Sequence, residues 1–280
     1  MIPRRLAACL LVLATAARTA PRGRLERRDW TAPVPLPPGS MLIVGFLGAW
    51  EKWDNGRRSV RRLALRLREK QLPGVFVETA NNHDRAMVRR MILDSLDRDR
   101  DGRVTPAEAN SVAFVFYGHS FGGAAAVYLA RDLEKSGAPV RLTVQVDSVG
   151  RRDHIIPSNV ARALNLYQRD PGPIRGEPSI RAADPSRTVI LGNLRFSYLF
   201  RDVDMSNYPR IARRIGLSHW KMDIARRTTN GGVGDCRGND PRRDHPLAGG
   251  ERRRRALRRS HSRLGTRAAA GSRDCSRRCF

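Results

Sequence analysis

Ala113-Phe-Val-Phe-Tyr-Gly-His-Ser-Phe-Gly-Gly-Ala-Ala-Ala-Val-Tyr-Leu-Ala130 decides how the rest of the chain is read. Its first five residues form an apolar, aromatic and β-branched run of strand length, and its last eight are mostly small residues suited to a packed helix. Between them lies Gly118-His119-Ser120-Phe121-Gly122, a G-x-S-x-G turn. Glycines on both sides of a serine let strand and helix pack closely while the turn holds the serine in a strained conformation. Ser120 then stands at the carboxyl end of a strand and at the N-terminus of a helix, where free N–H groups favour developing negative charge.

Outward from this turn the chain alternates between the two periods. Met41-Leu-Ile-Val-Gly-Phe46, ended by Gly48, reads as a buried strand. The stretch Asn55 to Lys70 sets Val60, Leu63, Leu65 and Leu67 among arginines and reads as an amphipathic helix. Val75 to Glu78 is a second strand, and His83 to Leu96 is a helix with Met87, Val88, Met91, Ile92 and Leu96 on one side. After the Gly122 to Lys135 helix, Val140 to Val146 supplies a further strand. Helices alternating with continuous apolar strands imply an α/β fold, three layers with a mostly parallel central sheet covered on both faces. One domain over residues 41–224 accounts for the pattern, preceded by a Pro-rich linker over 21–40.

The ends differ from the middle. Arg4 and Arg5, the apolar run Leu6 to Ala14 and the small triplet Ala14-Thr15-Ala16 have the layout of a secretory signal peptide over 1–20. The run is shorter than the roughly 20 residues a membrane-spanning helix needs, so no transmembrane helix is expected. Export makes the protein secreted or periplasmic. Residues 225–280 lose periodicity and become rich in Arg, Gly, Asp and Ser, too poor in apolar groups to offset the entropy of ordering, and read as a disordered tail. The net charge of +26 divides into +6 for residues 1–28, +11 for 225–280 and +9 for the 196 residues between. An Arg-rich tail suits an anionic surface, but export and the scarcity of stacking aromatics argue against a nucleic-acid partner. Cys9 falls in the leader and Cys236, Cys275 and Cys279 in the tail, so the middle has no disulfide. Tail cysteines together with His245 and His261 match no compact zinc spacing.

The string Gly118-His-Ser-Phe-Gly-Gly123 resembles the nucleophile elbow of the α/β-hydrolase superfamily, in particular its lipase-like and esterase-like members. The resemblance covers about residues 41–224 and implies a secreted serine hydrolase of carboxylester or lipid ester bonds, with a small-molecule or lipid substrate. Ser120 is then the nucleophile. Val44-Gly45-Phe46-Leu47 matches in part the turn that donates an oxyanion N–H, with Val44 where the superfamily usually has histidine. The implied donors are the backbone N–H of Phe121 and that of Phe46 or Leu47, with Gly48, Trp50 and Trp53 along the nearby wall. Superfamily order is nucleophile, acid, histidine. Asp147 ends the strand after the elbow, at the sheet edge that carries Ser120, and is the favoured acid, with Asp170 and Asp184 as competitors. His219 is the histidine left when chain order removes His83 and His119, proximity to Asp147 removes His154, and the tail holds the other two.

A second motif has nothing to do with the elbow. Asp97-Arg-Asp99-Arg-Asp101-Gly102-Arg103-Val-Thr105-Pro-Ala-Glu108 satisfies D-x-D-x-D-G-x5-E. Alternate aspartates converge on a hard cation, Gly102 permits the turn, and the Arg103 carbonyl serves at position seven. Thr105 acts directly or through water, and Glu108 closes the site with two oxygens. The loop resembles an EF-hand, although it is single and Arg98, Arg100 and Arg103 oppose the cation. The resemblance implies a structural calcium of modest affinity that steadies the strand leading to Ser120. A non-catalytic calcium-binding protein on the same fold is the competing reading.

Overall fold

A computed structural model describes residues 25–49, 51–206, 208, 210–214 and 217–224. The signal-peptide reading of 1–20, Trp50 and the whole tail over 225–280 lie outside the described residues.

Six strands form one sheet in the order β2-β1-β3-β4-β6-β8, with every neighbouring pair parallel. They are β1 (Met41–Leu47), β2 (Val75–Asn81), β3 (Ala113–His119), β4 (Val140–Val146), β6 (Arg162–Gln168) and β8 (Val189–Phe196), with the two-residue strands β5 (Ile155–Ile156) and β7 (Arg181–Ala182) paired beside them. The helices are α1 (Ser59–Glu69), α2 (Arg85–Leu96), α3 (Pro106–Ala109), α4 (Phe121–Glu134), α5 (Arg210–Arg214) and α6 (Leu217–Ile224). The expected α/β fold with a parallel central sheet is therefore the observed one.

Chain direction explains the layers. From β1 the chain runs outward to β2, then crosses back over β1 to β3 and continues to β4. Right-handed crossovers put α1 on one face of the sheet and α2 and α4 on the other. Tyr117 Oη donates to the Val60 carbonyl at 2.8 Å and so pins α1 to its face. Val60 and Ala64 are the buried residues of α1, while Leu63 is exposed: the helix turns a small side chain toward the sheet. On the opposite face Val44, Phe46, Phe114, Phe116, Val127 and Leu129 are fully buried and join Val88 and Ile92 of α2 in one core. The reversal of direction between β1 and β3 makes their carboxyl ends a topological switch point, where open α/β sheets form their crevices. Ser120 lies at that point.

Two segments depart from the sequence expectation. Residues 25–40, expected as a linker, pack onto the domain. Leu25, Trp30 and Leu36 are buried, and Thr31 N, Thr31 Oγ1 and Ala32 N all donate to Glu78 Oε1 at 2.8, 2.6 and 2.8 Å. Prolines stiffen this stretch without preventing docking, because its few large apolar residues, Leu25, Trp30 and Leu36, join the core. Strands β6 and β8 are the second departure. Their crossovers carry loops and the β5–β7 pair, and among the described residues no helix lies between Glu134 and Arg210. The edge strand β8 accordingly leaves Val189, Leu191 and Leu194 exposed.

Candidate active site

Ser120 occupies a conformation that few non-glycine residues adopt, φ 59° and ψ −129°, and forms the N-cap of α4. The neighbouring glycines explain why the turn can be so tight. A Cβ at Gly122 would lie 2.0 Å from the Phe46 carbonyl oxygen, and one at Gly118 would lie 2.3 Å from the Gly122 backbone. A Cβ at Gly123 would meet the Ser148 side chain at 2.9 Å. Ser120 N donates to Val146 O at 2.9 Å, which ties the elbow to the end of β4 one residue before Asp147.

Asp147 and His219 meet. His219 Nδ1 lies 2.6 Å from Asp147 Oδ2, with both side chains sealed from solvent. The carboxylate is otherwise saturated: Oδ1 accepts from Gln168 N at 3.0 Å and Gly176 N at 2.9 Å, and Oδ2 also accepts from Gln168 Nε2 at 3.0 Å. Burial by itself would raise the Asp147 pKa, but the bonds from His219 and Gln168 prevail and hold it below the ordinary aspartate value. The ionised aspartate can only accept at Oδ2, so a neutral His219 imidazole would carry its proton on Nδ1.

Two details of His219 go beyond the sequence reading. It lies within α6, buried, and its carbonyl is anchored by the elbow: His119 Nε2 lies 3.0 Å from His219 O, and the two rings are 4.6 Å apart. Burial and the facing His219 push His119 down to about 4, so it is neutral near pH 7 and uses its one N–H on that carbonyl. The residue between Gly118 and Ser120 thus fixes the helix that carries the histidine.

The competing acids are engaged elsewhere. Asp170 accepts from Ser197 Oγ at 2.7 Å and Tyr198 N at 2.6 Å, holding the exit of β8. Asp184 accepts from Ser186 N and Oγ in the loop that enters β8, at the opposite end of the strands from Ser120. His83 is exposed, and His154 faces Glu177.

On the oxyanion side, Phe46 pairs with both Ala80 and Gly118, whereas Leu47 pairs only with Asn81 of β2. The ladder toward β3 has therefore ended at Leu47, on the side where Ser120 turns away. Phe121 is the first residue of α4, and helix-start N–H groups have no intrahelical acceptor. Gly48 adjoins the elbow, since a Cβ there would lie 3.3 Å from Ser120 Cβ. Its N–H donates to Glu51 Oε2 at 3.0 Å, and Glu51 faces Arg58 at 3.3 Å.

Arg58 also stacks on Tyr208 at 3.6 Å and faces Asp223 of α6 at 3.9 Å. Tyr208 Oη donates to Asp223 Oδ2, and Ser59 N and Oγ donate to Asp223 Oδ1 at 3.1 and 2.5 Å. This latch joins α6 to the turn beside Ser120, and nothing in the sequence pattern pointed to it.

Burial and the charge of Asp223 push Glu51 up from 4.5 to about 8. Between those values the folded protein holds a proton that the unfolded chain has lost, so the contribution of Glu51 to stability is full below about 4.5 and falls as pH rises toward about 8. Glu51→Gln should remove that part of the slope. Melting curves of both proteins across this window check it, and parallel slopes would count against the buried acid.

The acidic loop over 97–108 converges in part. Ligand oxygens of Asp97, Asp99 and Glu108 lie within 4.8 Å of one another, and Asp97 Oδ1 is shielded from water with no hydrogen-bond partner. Asp97 Oδ2 accepts from Gly102 N at 2.9 Å, Asp99 Oδ1 from Asp101 N at 3.2 Å and Asp101 Oδ1 from Arg103 N at 2.8 Å, with Gly102 at φ +81°. Asp101 is outside the converging group of three. Thr105 and Glu108 bond each other in a capping box for α3, and Glu108 Oε1 accepts from Arg98 N at 2.8 Å. Hydrogen bonds from the Thr105 and Arg98 N–H groups hold Glu108 down at about 2. The donor set suits a hard cation at its Asp97, Asp99 and Glu108 side, while Thr105 Oγ1 bonds Glu108 in the cap and is left to act through water.

No protein-family pattern matches the chain, and no curated protein does. Among solved structures, a cutinase-like protein from Cryptococcus sp. is 14% identical over 56% of this chain and 78% of its own, with a TM-score of 0.30. An uncharacterised protein from Pseudomonas aeruginosa is 12% identical at a TM-score of 0.37, over 69% of this chain, which spans 43% of that protein. RedJ, solved with a polyethylene glycol molecule in its active site, is 15% identical at a TM-score of 0.30, over 59% of this chain and 87% of its own. Among the described residues no helix is long and apolar enough to cross a membrane.

Proposed function

We propose that this chain is a serine hydrolase of ester-like bonds, with Ser120 as nucleophile, His219 as general base and acid, and Asp147 orienting the imidazole. The observation that carries the reading is the buried 2.6 Å bond from His219 Nδ1 to Asp147, on a histidine whose carbonyl is tied to the residue before Ser120. Ser120 Oγ adds to the ester carbonyl carbon as its proton passes to His219 Nε2. The tetrahedral oxyanion takes N–H bonds from Phe121 and from Leu47 or Phe46, collapse breaks the ester C–O bond, and the leaving alkoxide takes the proton from His219. Water then repeats the sequence on the acyl-Ser120 ester and releases the acid. A fluorophosphonate probe should label the purified protein at Ser120, read by mass spectrometry of the modified peptide. Absence of labelling by a folded protein would refute the activated serine.

The loop over 97–108 supports a second element of this reading, a structural calcium taken by Asp97, Asp99, Asp101, the Arg103 carbonyl and Glu108, with Thr105 acting through water. Support comes from the unpartnered Asp97 oxygen and the converging carboxylates, which cost energy in one place unless a cation or protons neutralise them. Calcium should raise the melting temperature of chelator-treated protein by several degrees, and Asp99→Asn should abolish the rise. Calorimetric titration without heat, together with a melting temperature indifferent to chelator, would sink the calcium assignment. A signal peptide over 1–20, as its sequence suggests, would place such an enzyme outside the cytoplasm, where this cation is plentiful.

A further inference from the structure

Beneath the loop that carries Asp147, three side chains of another kind converge. Asp153 and His154 from the turn before β5 and Glu177 from the stretch before β7 each present one ligand atom, all within 4.8 Å of one another. Their backbones are fixed from several directions. Gln145 Nε2 donates to Asp153 O at 3.1 Å, Arg181 N to His154 O at 2.8 Å and Glu177 N to Ser148 O at 2.8 Å, while Glu177 O accepts from Asn165 Nδ2 at 2.8 Å.

Asp153 is fully buried. Its Oδ2 accepts from Ser148 Oγ and, at 3.1 Å, from Gly150 N. Its Oδ1 has no partner and no contact with solvent, and among the described residues no Lys or Arg lies within ion-pair distance. Arg131 uses its guanidinium on the Arg152 and Ile155 carbonyls. A sealed carboxylate oxygen with neither donor nor cation is costly. His154 Nδ1 and Glu177 Oε2 stand 3.9 Å apart, too far for a hydrogen bond and within the span of two ligands held at about 2.1 Å from one ion. Both side chains are about a third exposed, which leaves an open side for water.

We propose that Asp153, His154 and Glu177 form a binding site for a first-row divalent cation, of which zinc is the representative, completed by water. One imidazole nitrogen with two carboxylates is a borderline donor set, distinct from the all-oxygen set that calcium takes. The site has a structural consequence for the neighbouring loop. Glu177 follows Gly176, whose N–H bonds Asp147 Oδ1, and Asp153 is bonded to Ser148, the residue after Asp147. An ion across Asp153 and Glu177 therefore clasps the two segments that hold Asp147 in place.

The test uses the full chain, freed of metal by chelator and then titrated with zinc chloride while millimolar calcium is present. One zinc should bind through this site and raise the melting temperature. His154→Ala and Glu177→Gln, changes to partly exposed side chains that circular dichroism will show to be folded, should each weaken that binding about tenfold or more and remove the thermal shift. Absence of zinc binding, or an affinity that either variant leaves unchanged, overturns the site, the latter by placing the zinc elsewhere, for instance on tail residues. None of these readouts depends on Ser120 being catalytic.

Discussion

Ser120→Ala should lower kcat on short nitrophenyl esters by about a millionfold and leave KM close to that of the parent. The loss is large because the nucleophile and its base act as one unit. With Oγ gone, His219 has no proton to accept, and only substrate binding and the oxyanion donors remain to accelerate attack by water. Labelling by a fluorophosphonate should vanish in the same variant. Ser120→Gly makes the test sharper. It should be equally inactive yet melt higher, because glycine adopts φ 59° and ψ −129° without the cost of about 1–3 kcal/mol that a Cβ carries in such a region. A site that loses activity and gains stability when its strained residue is relaxed holds that strain for function. If Ser120→Ala keeps more than a small fraction of wild-type turnover, the nucleophile lies elsewhere.

The elbow was legible because three separate constraints coincide in one short stretch: an apolar strand, glycines where a Cβ would strike backbone at 2.0–2.3 Å, and a small-residue helix. The strands beside it, β1 and β4, were legible for a related reason, since buried parallel strands read as apolar runs. Strands β6 and β8 were not. Asn165 and Gln168 in one, and Asn193 and Arg195 in the other, break the apolar pattern, and no intervening helix marks the alternation. That Asp147 and His219 would meet could be expected from strand-end position and chain order, but their hydrogen-bond partners could not. Gln168 is a polar residue at the end of an unrecognised strand, and Gly176 lies in a loop whose fold depends on distant contacts. The latch from Arg58 to Asp223 joins residues far apart in sequence, where composition carries no signal. Residues 25–40 misled in the other direction, because proline content hid the burial of Leu25, Trp30 and Leu36.

Asp147→Asn is expected to reduce kcat by about 10,000-fold while the protein remains folded. The surrounding donors dictate the result. Gln168 N and Gly176 N both point at Oδ1 and can only donate, so the asparagine must turn its carbonyl oxygen to them. Its amide NH2 then takes the place of Oδ2, facing His219 Nδ1 and Gln168 Nε2. Gln168 has no free rotation to relieve the donor–donor conflict, because its Nε2 also donates to Ile174 O at 3.0 Å and its Oε1 accepts from Asp170 N at 2.8 Å. The amide can therefore be satisfied only if His219 accepts at Nδ1, which moves the imidazole proton to Nε2. A histidine in that tautomer is unable to take a proton from Ser120, so kcat falls while KM, set by contacts with the ester, changes little. Asp147→Ala would not separate these effects, since it leaves the donors Gln168 N and Gly176 N buried without an acceptor and destabilises the loop as well. Nitrogen chemical shifts of His219 should report the tautomer directly, with the proton on Nδ1 in the parent and on Nε2 in Asp147→Asn. Wild-type shifts in the variant, or a kcat within tenfold of the parent, would show that Asp147 does not orient the base.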